Sequence, residues 1–500
     1  MTTTFLKNRS PDKYVSPIDF NEIDKIVNEA LETFNVPGAA IGLVVDDQII
    51  LSRGYGLCKV DEQLPVTKHT LFPIASCTKA FTALLLGQLV DEGKIAFDDQ
   101  VIKYIPEFSL LDQDLTLNLT IRDLLAHRTG IARHDPIWIN LKISRSEIIP
   151  LLRYFEPACG LRQEFQYNNF MYALAGIVIE RVTGQSWEEA ISARILRPLE
   201  MKDSNISIEQ LKSNLNFSFP HAEVNDIAVT VPFRDLYAIN PAGGINSNVI
   251  DMTKWVRLHL AKSNFQDIIQ GETLQEMQTM QMIISSSASS SNNSEEIYQL
   301  GYGLGWLIGK YRGFDLISHG GDIDGFSSDI SLLPTERIGF VILTNSSSDG
   351  RYVISSVRNQ IFDKILGKES TNWQKKMQET RDKAKIELKE FLENFKISTQ
   401  ITFPTQALIK YCGSYEHPSY GVFDLRIEND RLIASYGETK TTLYFKSENV
   451  FSGQWNVLLA YGINPIIDIS FFKNESGEVY KIEIPFEKFR SAKPIIFMRK

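Results

Sequence analysis

Cysteine is scarce: Cys58, Cys77, Cys159 and Cys412 are the four thiols of a 500-residue chain, and no two form a C-x-x-C pair. That excludes a disulfide-stapled scaffold, and the four read as buried thiols. No segment offers about 18 consecutive uncharged apolar residues, and the opening MTTTFLKNRSPDKYV contains no apolar run of the kind a secretory leader needs. The expectation is a cytoplasmic protein without a membrane partner. Basic residues are also in deficit, with 52 Lys and Arg against 61 Asp and Glu and a formal charge of −9. An acidic surface repels phosphate backbones, so no nucleic-acid partner is expected. Neither G-x-G-x-x-G nor a P-loop occurs, and the glycines of Pro241-Ala242-Gly243-Gly244-Ile245 read as a cleft-lining turn. No cofactor is expected.

What is present is ordinary globular material, 43% hydrophobic and 23% charged, with enough apolar surface for a large core. Five hundred residues exceed what one core organises, so two or three domains are expected. A helix around Ile23 to Phe34 leads into two β-rich runs flanking Asp46-Asp47, a hairpin signal. After Pro73, Phe81, Leu84, Leu85, Leu89 and Val90 recur at helical spacing up to Gly93, marking a buried helix. Residues 97 to 240 read as helical and loop-rich, and 300 to 345 as short strands. The tract SSSASSSNNS at 285 to 294 reads as a flexible surface insertion. Residues 370 to 395 are charged helix formers, hence a connecting helix. From Phe403 the pattern becomes short alternating strands around an Asn429-Asp430 turn. The fold class expected is α+β, an antiparallel sheet flanked by helices with an all-helical subdomain, followed by a small all-β barrel. The expected divisions are 15–365, a linker 366–404, and 405–500.

The chemistry starts at Ser76-Cys77-Thr78-Lys79. A serine hydroxyl needs a neighbouring base or cation to act as a nucleophile. Three residues are about one helical turn, so Ser76 and Lys79 share a face at the helix start, where the dipole favours negative charge. Two other S-x-x-K strings serve as controls: Ser10 to Lys13 in a polar terminus, and Ser470 to Lys473 in a strand pattern, where i and i+3 face opposite ways. Only Ser76 opens an apolar helix. The plain alternative, an N-cap serine beside a solvated lysine, is preferable unless further elements join it.

Two do. Tyr167-Asn168-Asn169 is the one Y-x-N string among 18 tyrosines, set before an apolar helix. A tyrosine beside an ammonium is expected to have its pKa lowered, making its phenolate a candidate base, while Asn169 offers amide groups to a substrate. The alternative is a packed loop tyrosine with Asn169 capping the helix. Ser318-His319-Gly320-Gly321-Asp322 lies between strand-like runs, and its glycines would let a substrate backbone approach a sheet edge. An edge turn explains that string equally well. Cys77 points about 100° away from Lys79 around the helix and reads as packing. His127 and His134 lack a third ligand string, so no metal is expected.

The order Ser-x-x-Lys, Tyr-x-Asn, His-x-Gly, with LLAHRTGI, PAGGINSNVIDMTKW, YGLGW and HGGDIDGF, resembles the family of class C β-lactamases and penicillin-binding proteins, including its esterases and D-aminopeptidases, over roughly residues 20 to 365. The resemblance implies a serine hydrolase working through an acyl-enzyme on a small peptide, amide or ester. It implies Ser76 as nucleophile, Lys79 and Tyr167 as its activators, His319 at the third-motif position, and Asn169, Gly320, Gly321 and Asp322 on the substrate side. The amides of Ser76 and Asp322 would form the oxyanion hole. His319 stands where many penicillin-recognising members carry lysine, which favours peptidase or esterase chemistry over β-lactamase or D,D-carboxypeptidase activity. A non-catalytic scaffold with the same fold is the rival reading. The C-terminal segment resembles the lipocalin-like barrel of some family peptidases, which implies restricted access to the site or homo-oligomer formation.

Overall fold

The computed structural model describes residues 19–260, 265–285, 296–347, 349–369, 371–398, 404–455, 465–487 and 492–500. The chain enters through α1 (Phe20–Thr33), capped by Asp19, whose carboxylate accepts from the Asn21 amide. It then forms the hairpin of β1 (Gly38–Val45) and β2 (Gln48–Lys59). Asp46 and Asp47 between them have φ of 49° and 65°, the two left-handed residues a tight hairpin turn requires. With β3 (Leu64–Pro65), β4 (Met282–Ile283), β5 (Ile297–Tyr302), β6 (Leu307–Tyr311), β7 (Phe314–Ile323), β8 (Phe326–Leu333) and β9 (Ile338–Thr344), they make a nine-stranded antiparallel sheet. Its order is β3-β2-β1-β9-β8-β7-β6-β5-β4.

The central strands β1, β8 and β9 are buried along their whole length, because helices cover both faces. Ile41, Leu43, Phe340 and Ile342 point to one layer, where they meet α1, part of the helix Gly350–Ile365 and Trp373. Ala40, Val44, Val341 and Leu343 point to the other, into the core built around α2 (Thr78–Asp91), α3 (Asn169–Thr183) and α4 (Val249–Leu260). Alternation of side chains across a strand divides one apolar run between two cores. α2 is buried on nearly every side, which is why its sequence is apolar all round rather than amphipathic. α4 lies close against the sheet: a β-carbon on Gly42 would sit 2.6 Å from Thr253 Cγ2, and one on Gly339 only 2.1 Å from Val256 Cγ1.

The connecting helix is present as Trp373–Ser398. It is held to the body by Arg381, which donates to Asp349 at 2.6 Å and to Glu223 at 2.5 Å. Beyond it, eight strands between Gly413 and Arg499 close into an antiparallel barrel. Its interior is filled by Tyr415, Phe423, Tyr436, Phe451, Phe471 and Phe497, so it is a packed core rather than an open channel. The Asn429-Asp430 turn has φ of 49° and 59°, and Ser470 to Lys473 lies in the strand Ile466–Lys473, as their patterns indicate. Ser10 to Lys13 and most of the Ser-rich tract lie outside the described residues. No described helix is long and apolar enough to cross a membrane.

The close approach of α4 makes Gly339 a sensitive position. Gly339→Ala forces a methyl into Val256 and is expected to destabilise by about 1–3 kcal/mol, read as a lower calorimetric midpoint of the main transition. Gly271→Ala, whose β-carbon would meet nothing within 4 Å, is expected to stay within about 0.5 kcal/mol of the parent.

Candidate active site

Ser76 lies in a single 3-10 turn, Ala75–Cys77, that runs directly into α2. Ala75 has φ of 45°, a strained state for a residue with a β-carbon, which persists only where neighbours over-determine it. They do so here. The Ile74 amide donates to Ile245 O at 2.9 Å, and Ile74 O accepts from Ser328 Oγ at 2.8 Å. β7 presses on the turn: a β-carbon on Gly321 would lie 2.2 Å from Ile74 O and 3.0 Å from Ser76 N. Gly321 is thus required by strand-to-turn packing, while Gly320 is open, with Ser328 O at 3.6 Å as its nearest neighbour. Cys77 packs away from the site, its thiol 3.2 Å from His319 O and pushed up by burial.

One turn on, the Lys79 side chain is wholly buried. Its Nζ lies 3.0 Å from Ser76 Oγ, 2.9 Å from Asn169 Oδ1 and 2.8 Å from Ala242 O. Burial, helped by the nearby Arg133 guanidinium, holds the amine well below the usual lysine range. A neutral amine has two N–H groups and one lone pair. Those three valences match two obligate acceptors, Asn169 Oδ1 and Ala242 O, and one hydroxyl able to donate, Ser76. Asn169 itself is oriented from behind, its Nδ2 donating to Asp135 Oδ1 at 3.1 Å. Most of its amide is therefore engaged within the protein. Asn168, not Asn169, caps α3, accepting from the Met171 amide.

Tyr167 lies beside Ser76, whose hydroxyl acts on the phenol in the direction opposite to burial. Its ring is flanked by the Lys79 amine, with Nζ 4.8 Å from the centroid, and by the Arg133 guanidinium, with Cζ at 5.1 Å. Burial dominates and pushes the phenol up, outweighing the downward pull of Arg133, so Tyr167 rests protonated, contrary to the phenolate expected from the sequence. His127 packs on the same ring at 4.3 Å. The Asn168 amide donates to His127 Nδ1 at 3.1 Å, which places the imidazole proton on Nε2. His127 and His134 do not form a pair of ligands: His134 Nδ1 is 2.7 Å from the Tyr420 hydroxyl of the barrel.

His319 is buried, and its Nδ1 is 2.6 Å from Gly320 O. A carbonyl only accepts, so Nδ1 carries the proton and Nε2 accepts from the Tyr302 hydroxyl at 2.8 Å. Burial lowers its pKa to about 3, with Lys79 adding to the effect. The ring stands 6.3 Å from that of Tyr167. Asp322 binds Ser327 Oγ at 2.6 Å and Arg351 Nε at 2.7 Å, so its carboxylate faces the protein's own groups. Beside the turn, a cleft of about 100 Å³ is lined by residues including Pro73, Tyr237, Gly243, Gly244, Ile323 and Asp324.

Ser76, Lys79, Tyr167, Asn169 and His319 thus converge from α2, the start of α3 and β7. Sequence reasoning missed Arg133 and Asp135. Asp135 is fully buried and accepts from Arg133 Nε at 2.6 Å and Trp138 Nε1 at 2.7 Å. The usable signal was Asp135-Pro136 opening the apolar run PIWIN, a charged residue at the threshold of a buried helix. Among the described residues no group of three or more His, Cys, Asp and Glu side chains is arranged to hold a metal ion.

A family model described as Beta-lactamase matches residues 23–359, and one described as a domain of unknown function, DUF3471, matches 398–499. Unguisins hydrolase ungD' of Aspergillus campestris is 28% identical over 445 residues, 83% of this chain and 79% of its own length. Two solved structures share the fold. The octameric penicillin-binding protein homologue from Pyrococcus abyssi has a TM-score of 0.63 at 23% identity, covering 96% of this chain and 100% of its own. A D-stereospecific amidohydrolase from Streptomyces sp. has a TM-score of 0.54 at 23% identity, covering 68% of this chain and 98% of its own.

Because His319 is held neutral, its ring is expected to show neutral-form NMR shifts from about pH 5 to 8, the window in which an ordinary histidine titrates. A titration midpoint near the unperturbed value of about 6.5 would contradict the assigned burial.

Proposed function

This chain belongs to the Beta-lactamase family, a hydrolase family whose model covers residues 23–359, and on that premise we propose that it is a serine hydrolase forming an acyl-enzyme on Ser76. The observation that carries the reading is the buried Lys79 amine 3.0 Å from Ser76 Oγ, with both other neighbours of Nζ able only to accept. Lys79 takes the serine proton as Oγ attacks the carbonyl carbon. The oxyanion that forms is held by backbone N–H groups of Ser76 and Asp322. Tyr167, protonated at rest, passes its proton to the departing amine or alkoxide and is resupplied from the Lys79 ammonium. Water then enters, gives a proton to the Lys79 amine as its oxygen bonds to the acyl carbon, and the Lys79 ammonium returns that proton to Ser76 Oγ as the acyl–Oγ bond breaks and the acid leaves.

Peptide and aminoacyl amides or esters are the substrate class we favour. His319 supplies no permanent cation at the position where penicillin-recognising relatives hold a lysine, which weighs against β-lactamase and D,D-carboxypeptidase chemistry. The names of two similar proteins support this choice: an unguisins hydrolase supports hydrolysis, and a D-stereospecific amidohydrolase supports an amide bond and a preference for D-residues. A purely structural role gives no reason for a lysine to be buried against a serine hydroxyl. The octameric homologue supports a homo-oligomer as the working assembly.

Ser76→Ala is expected to abolish both turnover of L- and D-aminoacyl nitroanilides and the mass shift from a fluorophosphonate. Lys79→Met is expected to lose about 10²–10⁴-fold in rate with an unchanged circular dichroism spectrum. A Ser76→Ala protein that still acquires the adduct refutes the assignment.

A further inference from the structure

Residues 131 to 135 separate the active site from the barrel. Arg133 and Asp135 face inward, toward Tyr167 and Asn169. Ala132 and His134 face outward, lining a cleft shared with Tyr420 and Glu487 of the C-terminal region. The segment is held in an unfavoured shape at His134, whose φ is 52°. Such strain lasts only where something outside the segment maintains it. The barrel provides that hold. Glu487 Oε1 accepts the His134 backbone N–H at 2.7 Å, and the Tyr420 hydroxyl meets the His134 ring at 2.7 Å. Further along, Ser419 Oγ donates to Leu151 O at 2.7 Å, and Thr439 Oγ1 meets Asn140 Oδ1 at 3.0 Å.

From His134 the connections run without a break to the nucleophile. The next residue, Asp135, fixes the Arg133 guanidinium over Tyr167 and the amide of Asn169. Asn169 Oδ1 accepts from Lys79, whose Nζ meets Ser76 Oγ. We propose that Glu487 is a positioning residue of the active site: by holding the His134 peptide, the barrel sets Arg133 and Asp135 and through them the amine that activates Ser76. The catalytic body is therefore incomplete without the C-terminal barrel. Burial and the nearby Asp135 push the Glu487 carboxyl up to about 7, and in either protonation state a carbonyl-type oxygen remains to accept the N–H.

This inference rests on the acyl-enzyme reading, and the test separates the two. Full-length Glu487→Ala and Glu487→Gln are compared with the parent for nitrophenyl-ester turnover, the rate of fluorophosphonate labelling, and hydrogen exchange of residues 131–135 by mass spectrometry. Glu487→Met, which fills the space without a good acceptor, replaces the alanine variant should that fail to fold. The expected result is a fall in kcat of tenfold or more for the alanine variant, with KM within twofold, slower labelling and faster exchange at 131–135. Glu487→Gln, whose amide oxygen accepts the same N–H, should stay within threefold of the parent. Parental kcat and exchange in the alanine or methionine variant, or glutamine as damaging as alanine, overturns the proposal. A parent chain that takes no label overturns the hydrolase reading instead, while the exchange comparison still decides whether Glu487 holds the segment.

Discussion

A lysine side chain with no access to water, set beside a serine hydroxyl, is the constraint around which this structure is arranged. Burying an ammonium without compensation is severely unfavourable, and proteins commonly answer by shifting the pKa until the group is neutral. Lys79 has no carboxylate within hydrogen-bond distance; its neighbours are a hydroxyl, an amide oxygen and a backbone carbonyl. The nearby Arg133 guanidinium is of the same sign and pushes the same way as burial, and the smaller opposing pull of Asp135 does not offset them. Much of the surrounding architecture sustains that condition. Tyr167, Tyr172, His127 and Tyr302 wall off the amine with rings, and Asp135 turns Asn169 so that it presents oxygen rather than nitrogen.

Some of the backbone strain is stored at this site. Ala75, His127 and His134 adopt left-handed φ values in or beside the site, each at about 1–3 kcal/mol. The rigid two-faced sheet and the interlocked cores give enough surplus packing to hold them. Gly321 lets β7 reach the nucleophile turn, so the sheet itself braces Ser76. The barrel braces the opposite wall through residues 131–135. The sheet and the barrel thus brace two sides of one proton-transfer site.

Much of this was legible in the sequence, for identifiable reasons. The strands and α2 announced themselves by apolar period, and Asp46-Asp47 and Asn429-Asp430 by turn chemistry, because these are local signals. Ser76 and Lys79 were legible because one helical turn fixes their relation. Tyr167, Asn169 and His319 were legible by resemblance, since no local rule brings residues so distant in the chain to one point. The direction of the Tyr167 shift was misjudged: a neighbouring cation is visible in a sequence pattern, whereas the depth of burial that outweighs it depends on the whole core. Asp135 left one local signal that was passed over, a charge before Pro136 and an apolar run, and Glu487 was not legible, because a domain contact is defined only by what packs against it.

The central claim is that Lys79 rests as a free amine. The pH dependence of the single-turnover rate of Ser76 phosphonylation tests it most directly. A rate that has already levelled off near neutral pH, with its midpoint well below the ordinary lysine value of about 10.4, is the result this structure predicts. A rate still climbing toward that value would show a charged lysine at rest and contradict the account.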